Sequence, residues 1–481
     1  MKIFTAVKQF IWQHFTVNKI IVALGFIAAT VLILSTPLQM PDPDDWAYNS
    51  GVKNFSQGHF TLSNAAYMLQ AKQVGQQGGI LLQYLHIDHD KWVLEKAPGC
   101  IFYLIPFYKM GIPRWSNVIL ALGMVIVTFI LLKRLRDEKA AMVGSLLILF
   151  TPISMVMMNR IYMDTYSSLA LLVIGGGLYL YYHLERASVS AWKGGILLFL
   201  AFFFISWSVV ARFTNLPIAV ILALHLVITR IFDLCKKQGA RIKFEILPVI
   251  LGIGIPLAGM LVYDYFVFGS AIKTGYSFSP YPIKFAFQYL GQVDANGVSI
   301  PDQIISYNVQ GALRNTLIGF PLLLIGIPAF CIILYQLIGI LFKWRGTTGK
   351  LSTLRSEMTW DVFLVMTGWF LAVFLLYLMY EWTAGLKQGG GFVLFNRFYL
   401  PMLFPIVVIC ALVMARFPYK ILIPVMLVFV VWGSLMYAQW ALNLHILPDW
   451  LTVRTLETWW PGYIFPPWTP AGIQYYTPPP G

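Results

Sequence analysis

Apolar stretches of roughly 18 to 22 residues recur along the whole 481-residue chain, separated by short polar segments. Each is long enough to cross a hydrocarbon core of ~30 Å at ~1.5 Å per residue. Lipid satisfies no backbone donor, so the spanning element is a helix. The pattern predicts about eleven spans, near residues 19–38, 115–132, 139–157, 164–182, 193–211, 213–229, 246–267, 316–342, 361–380, 397–415 and 419–438.

The connecting segments set the orientation. Lys133, Arg134, Arg136 and Lys139 form one basic cluster, and Lys236, Lys237, Arg241 and Lys243 form another. Placing these clusters in the cytoplasm puts about 20 Lys/Arg and 7 Asp/Glu inside, against about 14 and 13 outside. Lys2, Lys8 and Lys19 precede the first apolar run without a small-x-small cleavage site, which reads as an uncleaved signal anchor. Three outer segments are long: 39–114, 268–315 and 439–481. The expectation is an all-α polytopic protein of the cell (plasma or inner) membrane. Its transmembrane region covers 1–438, with a long first extracytoplasmic loop over 39–114 and an aromatic, proline-rich tail over 439–481. Residues 100–108 are apolar but too short to span, and predict a helix lying at the interface. Trp459, Trp460, Trp468, Tyr475 and Tyr476 suit the headgroup level. No internal repeat is visible.

Composition supports this reading and narrows it. Hydrophobic residues make up 58% of the chain and charged residues 11%, with a mean hydropathy of +0.71, which excludes water as the main solvent. The net charge of +14 is spread over short clusters between apolar runs, so it records topology and not a nucleic-acid surface. The four cysteines, Cys100, Cys235, Cys331 and Cys410, form neither a CxxC pair nor a disulfide framework.

Candidate chemistry gathers at the outer ends of the spans. Asp42, Asp44 and Asp45 follow the first span within Pro41-Asp42-Pro43-Asp44-Asp45-Trp46-Ala47-Tyr48. Crowded carboxylates raise one another's pKa and suit a general base or a metal ligand, while the same run also reads as a helix N-cap starting near Trp46. Lys96, beside Glu95, precedes the interfacial stretch and either meets a lipid phosphate or snorkels to the headgroups. Asn159, Arg160 and Asp164 lie at an outer turn, and Arg212 and Asn215 interrupt a long apolar run. Such groups form structural pairs or face a cavity. Glu381, Lys387 and Gly389-Gly390-Gly391 precede Asn396-Arg397-Phe398-Tyr399-Leu400-Pro401, where the glycines permit mobility or close approach to a ligand. His59, His86 and His89 share the first loop with the acids, which opens the option of a divalent cation there.

Taken in order, these pieces resemble the polytopic C-superfamily (GT-C) glycosyltransferases, the group containing protein O-mannosyltransferases and the lipid A aminoarabinose transferases. Asp44-Asp45-Trp46-Ala47-Tyr48 followed by Gly58-His59-Phe60 resembles the family's acidic pair and tyrosine, then a Gly-x-Phe. Lys91-Trp92-Val93 with Glu95-Lys96-Ala97-Pro98-Gly99 resembles its Glu-Lys-Pro-Pro or Tyr-Pro-Pro-Gly segment, with Ala97 in place of the first proline. Arg160 to Asp164 resembles the second acidic site, Phe268-Gly269-Ser270 to Gly275-Tyr276 a Phe-Gly-Ser to Gly-Tyr element, and Arg397-Phe398-Tyr399-Leu400-Pro401 an Arg-Tyr-x-x-Pro element. The resemblance covers roughly residues 20–415.

It implies transfer of a sugar from a polyprenyl-phosphate donor, usually with inversion, to a lipid, glycan or protein acceptor outside the cytoplasm. By match, Asp44, with Asp45 as the substitute, takes the acceptor's proton, and Lys96 with Arg397 or Arg212 stabilises the leaving phosphate. Tyr48, Glu95, Arg160, Asp164, Tyr276, Glu381 and Tyr399 complete the implied site. Two other classes fit the span pattern. A lipid or sugar transporter or flippase needs repeats and midplane charges, whereas these polar residues sit at span ends. A noncatalytic membrane assembly subunit needs no site at all.

Overall fold

The computed structural model describes residues 16–40, 42–88, 90–235, 242–279, 284–293, 297–314, 359–380, 397–442 and 444. The span expected at 316–342, Glu381, the triple glycine, His89 and the tail past residue 444 lie outside them.

In chain order the elements begin with α1 (Val17–Ser35) and continue through the first loop: α2 (Pro43–Ser56), β1 (Thr61–Leu62), α3 (Asn64–Gln76), β2 (Tyr84–Asp88), β3 (Lys91–Leu94) and α4 (Gly99–Lys109). The bundle then runs through α5 (Trp115–Leu135), α6 (Glu138–Phe150), α7 (Pro152–Asn159), α8 (Asp164–Glu185), α9 (Ala191–Ala211), α10 (Leu216–Cys235) and α11 (Ile242–Phe268). After α12 (Ile300–Arg314) come α13 (Trp360–Met379), a short tight helix over Arg397–Met402, α14 (Leu403–Met414) and α15 (Tyr419–Ala441).

Among the described residues nine helical segments are long and apolar enough to cross a membrane, or ten with one bent pair, and they match the runs read from sequence to within a few residues. The bent pair is α6 and α7. The single run 139–157 breaks by 54° at Thr151-Pro152, because proline has no N–H to continue the ladder and its ring crowds the preceding turn. The break carries Asn159 and Arg160 beneath the first loop.

α8 lies in the bundle centre and buries residues around its whole circumference, from Leu169 to Tyr179, while α5 and α9 flank it. The peripheral helices keep apolar faces outward: Ile27 and Val31 on α1, Leu224 and Ile231 on α10, Ile250 and Leu257 on α11, Leu427 and Val431 on α15. That arrangement is stable in lipid and not in water.

The first loop folds on its own small core. Tyr48, Val52 and Phe55 of α2 pack with Val93 and Leu94 of β3, Ile101 of α4, and Tyr263 and Val267 from the end of α11. The helix expected at 100–108 is α4. An antiparallel sheet in the order β1-β3-β2, with Thr61 and Leu85 both opposite Val93, adds an element the sequence pattern did not predict. Strands this short give alternation too few positions to register.

Candidate active site

Asp42 stands in extended conformation before α2, Pro43 occupies the first helical turn, and Asp44 and Asp45 follow. The N-cap reading of this run therefore describes the backbone. Asp45 closes the turn by accepting the Asp42 N–H at 3.1 Å. The same carboxylate takes the Arg160 guanidinium, with Nη2 at 2.5 Å from Oδ2 and Nε at 3.4 Å from Oδ1, and both side chains are 0% exposed. Arg160 also reaches Asp42 at 2.6 Å. Burial raises the Asp45 carboxyl pKa even against Arg160, whose charge is shared with Asp42. Asn159, one residue earlier, donates to Pro37 O at 3.3 Å and to the Tyr437 hydroxyl at 2.7 Å, fixing the end of α7 against α15.

One residue earlier on α2, Asp44 faces elsewhere. Its oxygens lie 3.4 Å from Lys96 Nζ and 3.5 Å from Arg397 Nη2, and the three side chains keep 17–18% exposure. Arg397 also meets Asp42 at 3.1 Å. Burial pushes Asp44's pKa up, but Lys96 and Arg397 outweigh it and hold the carboxyl below its ordinary value. Burial likewise opposes the Lys96 ammonium, and Asp44, Tyr276, Glu95 and Asp164 reverse that, so Lys96 stays charged.

Two glycines bring Lys96 into place. A Cβ on Gly99 would stand 2.6 Å from Ala211 N, and one on Gly275 would stand 2.3 Å from Glu95 O. Hence the Glu95–Gly99 segment is clamped between the end of α9 and the turn bearing Tyr276, whose ring lies 5.7 Å from Lys96 Nζ. Trp207 adds a bond from Nε1 to Gly99 O at 3.0 Å. Gly99→Val is expected to lever α4 off α9, costing roughly 1–3 kcal/mol by overpacking. Thermal unfolding in detergent checks the effect.

Arg212 follows α9 directly. It bonds Thr165 Oγ1 at 2.9 Å, Thr214 Oγ1 at 3.2 Å and the Tyr377 hydroxyl at 3.4 Å, with Asp164 at 3.8 Å. Phe398 lies beneath it, 5.7 Å from ring centre to guanidinium carbon. Burial disfavours its charge, and Tyr377 and Asp164 more than restore it.

Of the residues singled out in sequence, Asp44, Tyr48, Lys96, Asp164, Arg212, Tyr276 and Arg397 come together in one cluster, with Glu95 acting on it through its charge. Tyr48 is buried, as is Tyr399, whose ring packs on Tyr377. Asp45 and Arg160 form a sealed pair behind this cluster. Asp42, one of the three crowded carboxylates of the acidic run, also belongs to the cluster, as do Thr165, Tyr377 and Tyr380, which were not singled out in sequence. Asp42 carried a signal, since it sits in the acidic run, but a tyrosine at the end of an apolar stretch carries none. Among the described residues, the acids and histidines of the first loop form no three-ligand group for a metal ion.

The buried pair makes its own prediction. Arg160→Ala leaves Asp45 sealed from water without its partner, and is expected to destabilise the protein by about 3–5 kcal/mol. An apolar pair at 45 and 160 should recover much of that loss, and the order of unfolding temperatures in detergent tests it.

No protein-family model matches the chain, and a search of the curated proteins finds no match. Solved structures do match. The archaeal oligosaccharyltransferase AglB from Archaeoglobus fulgidus, in complex with an inhibitory peptide and a dolichol-phosphate, aligns with a TM-score of 0.50 at 9% identity, covering 88% of this chain and 56% of that one. The apo form of the Archaeoglobus fulgidus oligosaccharyltransferase gives 0.50 at 10% identity, over 92% and 60%. ArnT from Cupriavidus metallidurans bound to undecaprenyl phosphate gives 0.48 at 12%, over 91% and 67%. The chain is thus a polytopic, helical membrane protein that shares its fold with this archaeal oligosaccharyltransferase. It spans a little under two thirds of the oligosaccharyltransferase it resembles, 56–60% of that length.

Proposed function

We propose that the protein is a glycosyltransferase that takes a sugar from a polyprenyl-phosphate donor and passes it to a hydroxyl or amine of a lipid, glycan or protein acceptor. One observation carries the reading: Asp44 is held, still accessible, between two cations, Lys96 and Arg397, at the long-loop end of a membrane bundle. The oligosaccharyltransferase that shares the fold was solved with a peptide and a dolichol-phosphate, which supports a lipid-phosphate donor. The inward bias of basic loops supports an extracytoplasmic site.

Lys96 and Arg397 neutralise Asp44 and hold its basicity down. A donor phosphate entering between Lys96 and Arg397 competes for them, and Asp44 is released toward the acceptor. The acceptor oxygen or nitrogen attacks the anomeric carbon as its proton passes to Asp44. The bond from that carbon to the phosphate oxygen breaks, and the electron pair leaves with the lipid phosphate, whose charge Lys96, Arg397 and Arg212 stabilise. Asp45 stays locked on Arg160, and the step assigned to Asp44 is a single displacement with inversion in which no carboxylate attacks the sugar. Asp164 and Tyr377 hold Arg212, Tyr276 flanks Lys96, and none of these steps is assigned to a metal.

The test supplies proteoliposomes of the full chain with polyprenyl-phosphate sugars and an acceptor extract, and follows release of polyprenyl phosphate. Release that depends on the chain and on acceptor supports the reading. Movement of intact donor across the bilayer without release would replace it with a transporter.

A further inference from the structure

The three helices joined at the long-loop end by Arg212 meet again at the other end. Arg212 links Thr165 on α8, Thr214 at the head of α10 and Tyr377 on α13. His183 lies nineteen positions past Asp164 on α8, about 28 Å along the helix. There it faces His225 of α10 and Asp361 at the start of α13, with the donor atoms of all three within 4.8 Å of one another.

His183 Nε2 is 2.5 Å from Asp361 Oδ2, and His225 Nε2 is 3.8 Å from the same oxygen. The rings stand 4.8 Å apart between centres, inclined at 66°. Tyr179 fixes the His225 ring through Nδ1 at 2.6 Å, which leaves Nε2 directed at the carboxylate. That Nε2 is buried and has no hydrogen-bond partner in either tautomer, because 3.8 Å is too long. A buried ring nitrogen aimed at a carboxylate across such a gap is costly unless something lies between them. The nearby cations do not fill the role. Arg186 and Arg230 are each bonded to both Asp233 and Glu245, so those four charges cancel and Asp361 keeps its own negative charge.

We infer that His183, His225 and Asp361 form a binding site for a divalent first-row transition ion such as Zn(II), fastening α8, α10 and α13 at the end of the bundle away from Asp44. Two imidazoles and one carboxylate suit such an ion, whereas magnesium and calcium prefer all-oxygen shells. Tyr179, bonded to the far nitrogen of His225, has the place of the outer partner that orients a ligating imidazole. Closing on an ion needs the three donor atoms, within 4.8 Å of one another, to draw in around it while the His183–Asp361 contact opens.

The test titrates Co(II) into the full-length, metal-stripped protein in detergent, following its ligand-field absorption, and repeats the titration with Zn(II) competition. Wild type should bind about one Co(II) per chain, displaced by Zn(II). His225→Gln and Asp361→Asn should each weaken binding by more than the roughly 10–100-fold that loss of an outer partner costs, and Tyr179→Phe by that smaller amount. Asp44→Asn should bind as wild type does. The inference is overturned if wild type takes up no stoichiometric Co(II), or if His225→Gln, eluting as a single species, binds like wild type. Loss of binding in Asp44→Asn overturns it too, since the ion would then belong to the acidic loop.

Discussion

Asp44→Asn is expected to lower turnover by about 10²–10⁴-fold, the range that one positioned general base supplies, while donor binding holds or tightens. The amide keeps the shape of the carboxylate and the N-terminal turn of α2, which depends on Asp45 accepting the Asp42 N–H. Lys96 and Arg397, relieved of their carboxylate partner, are left with more charge for a phosphate. Separate measurements of initial polyprenyl-phosphate release and of donor binding therefore move in opposite directions. Near-normal turnover would remove Asp44 from the base role. Asp45→Asn acts differently, because that side chain is sealed: it should lower the unfolding temperature before it changes the chemistry.

Lys96→Ala carries the second large effect. Removing one fixed donor from a developing anion costs about 10²–10³-fold in comparable sites, and a loss of that size is expected in kcat/KM for the lipid-phosphate donor. Donor affinity should weaken as well, since Lys96 is a ground-state contact. The competing view, a lysine that only snorkels to the headgroups, predicts almost no change. The packing of Lys96 argues against simple snorkelling: it lies against Tyr276, meets Asp44, and sits on a segment that Gly99 and Gly275 hold tightly. Lys96→Arg should recover only part of the activity, because the guanidinium is bulkier and must fit beside the Tyr276 ring. Equal donor affinity in wild type and Lys96→Ala would end the phosphate assignment.

The residues explain why some of this was legible and some was not. An apolar run of about twenty residues has one low-energy solution in lipid, so the spans could be read directly. The break at Pro152 was visible as a residue but not as a bend, since the run is apolar on both sides of it. The strands of the first loop were too short to show a period. Asp44 and Asp45 are the same residue type in adjacent positions, and no local pattern separates them. Helical geometry turns them about 100° apart, and what each meets depends on Arg160, 115 positions away, and on Arg397, further still.

The sequence alone therefore determined the solvent and the number and rough limits of the described spans, and it pointed to a sidedness of charge and to the acidic first loop as the place to expect chemistry. All of these follow from hydropathy and charge summed over segments, which need no partners. Only the tertiary structure decided that Asp45 is sealed on Arg160 while Asp44 keeps an exposed edge between Lys96 and Arg397, that Arg397 and Arg212 meet on the Phe398 ring, and that His183, His225 and Asp361 meet at the far end. Those are pairwise contacts between distant positions, fixed by how helices pack against one another, and packing is not written in any single stretch of the chain.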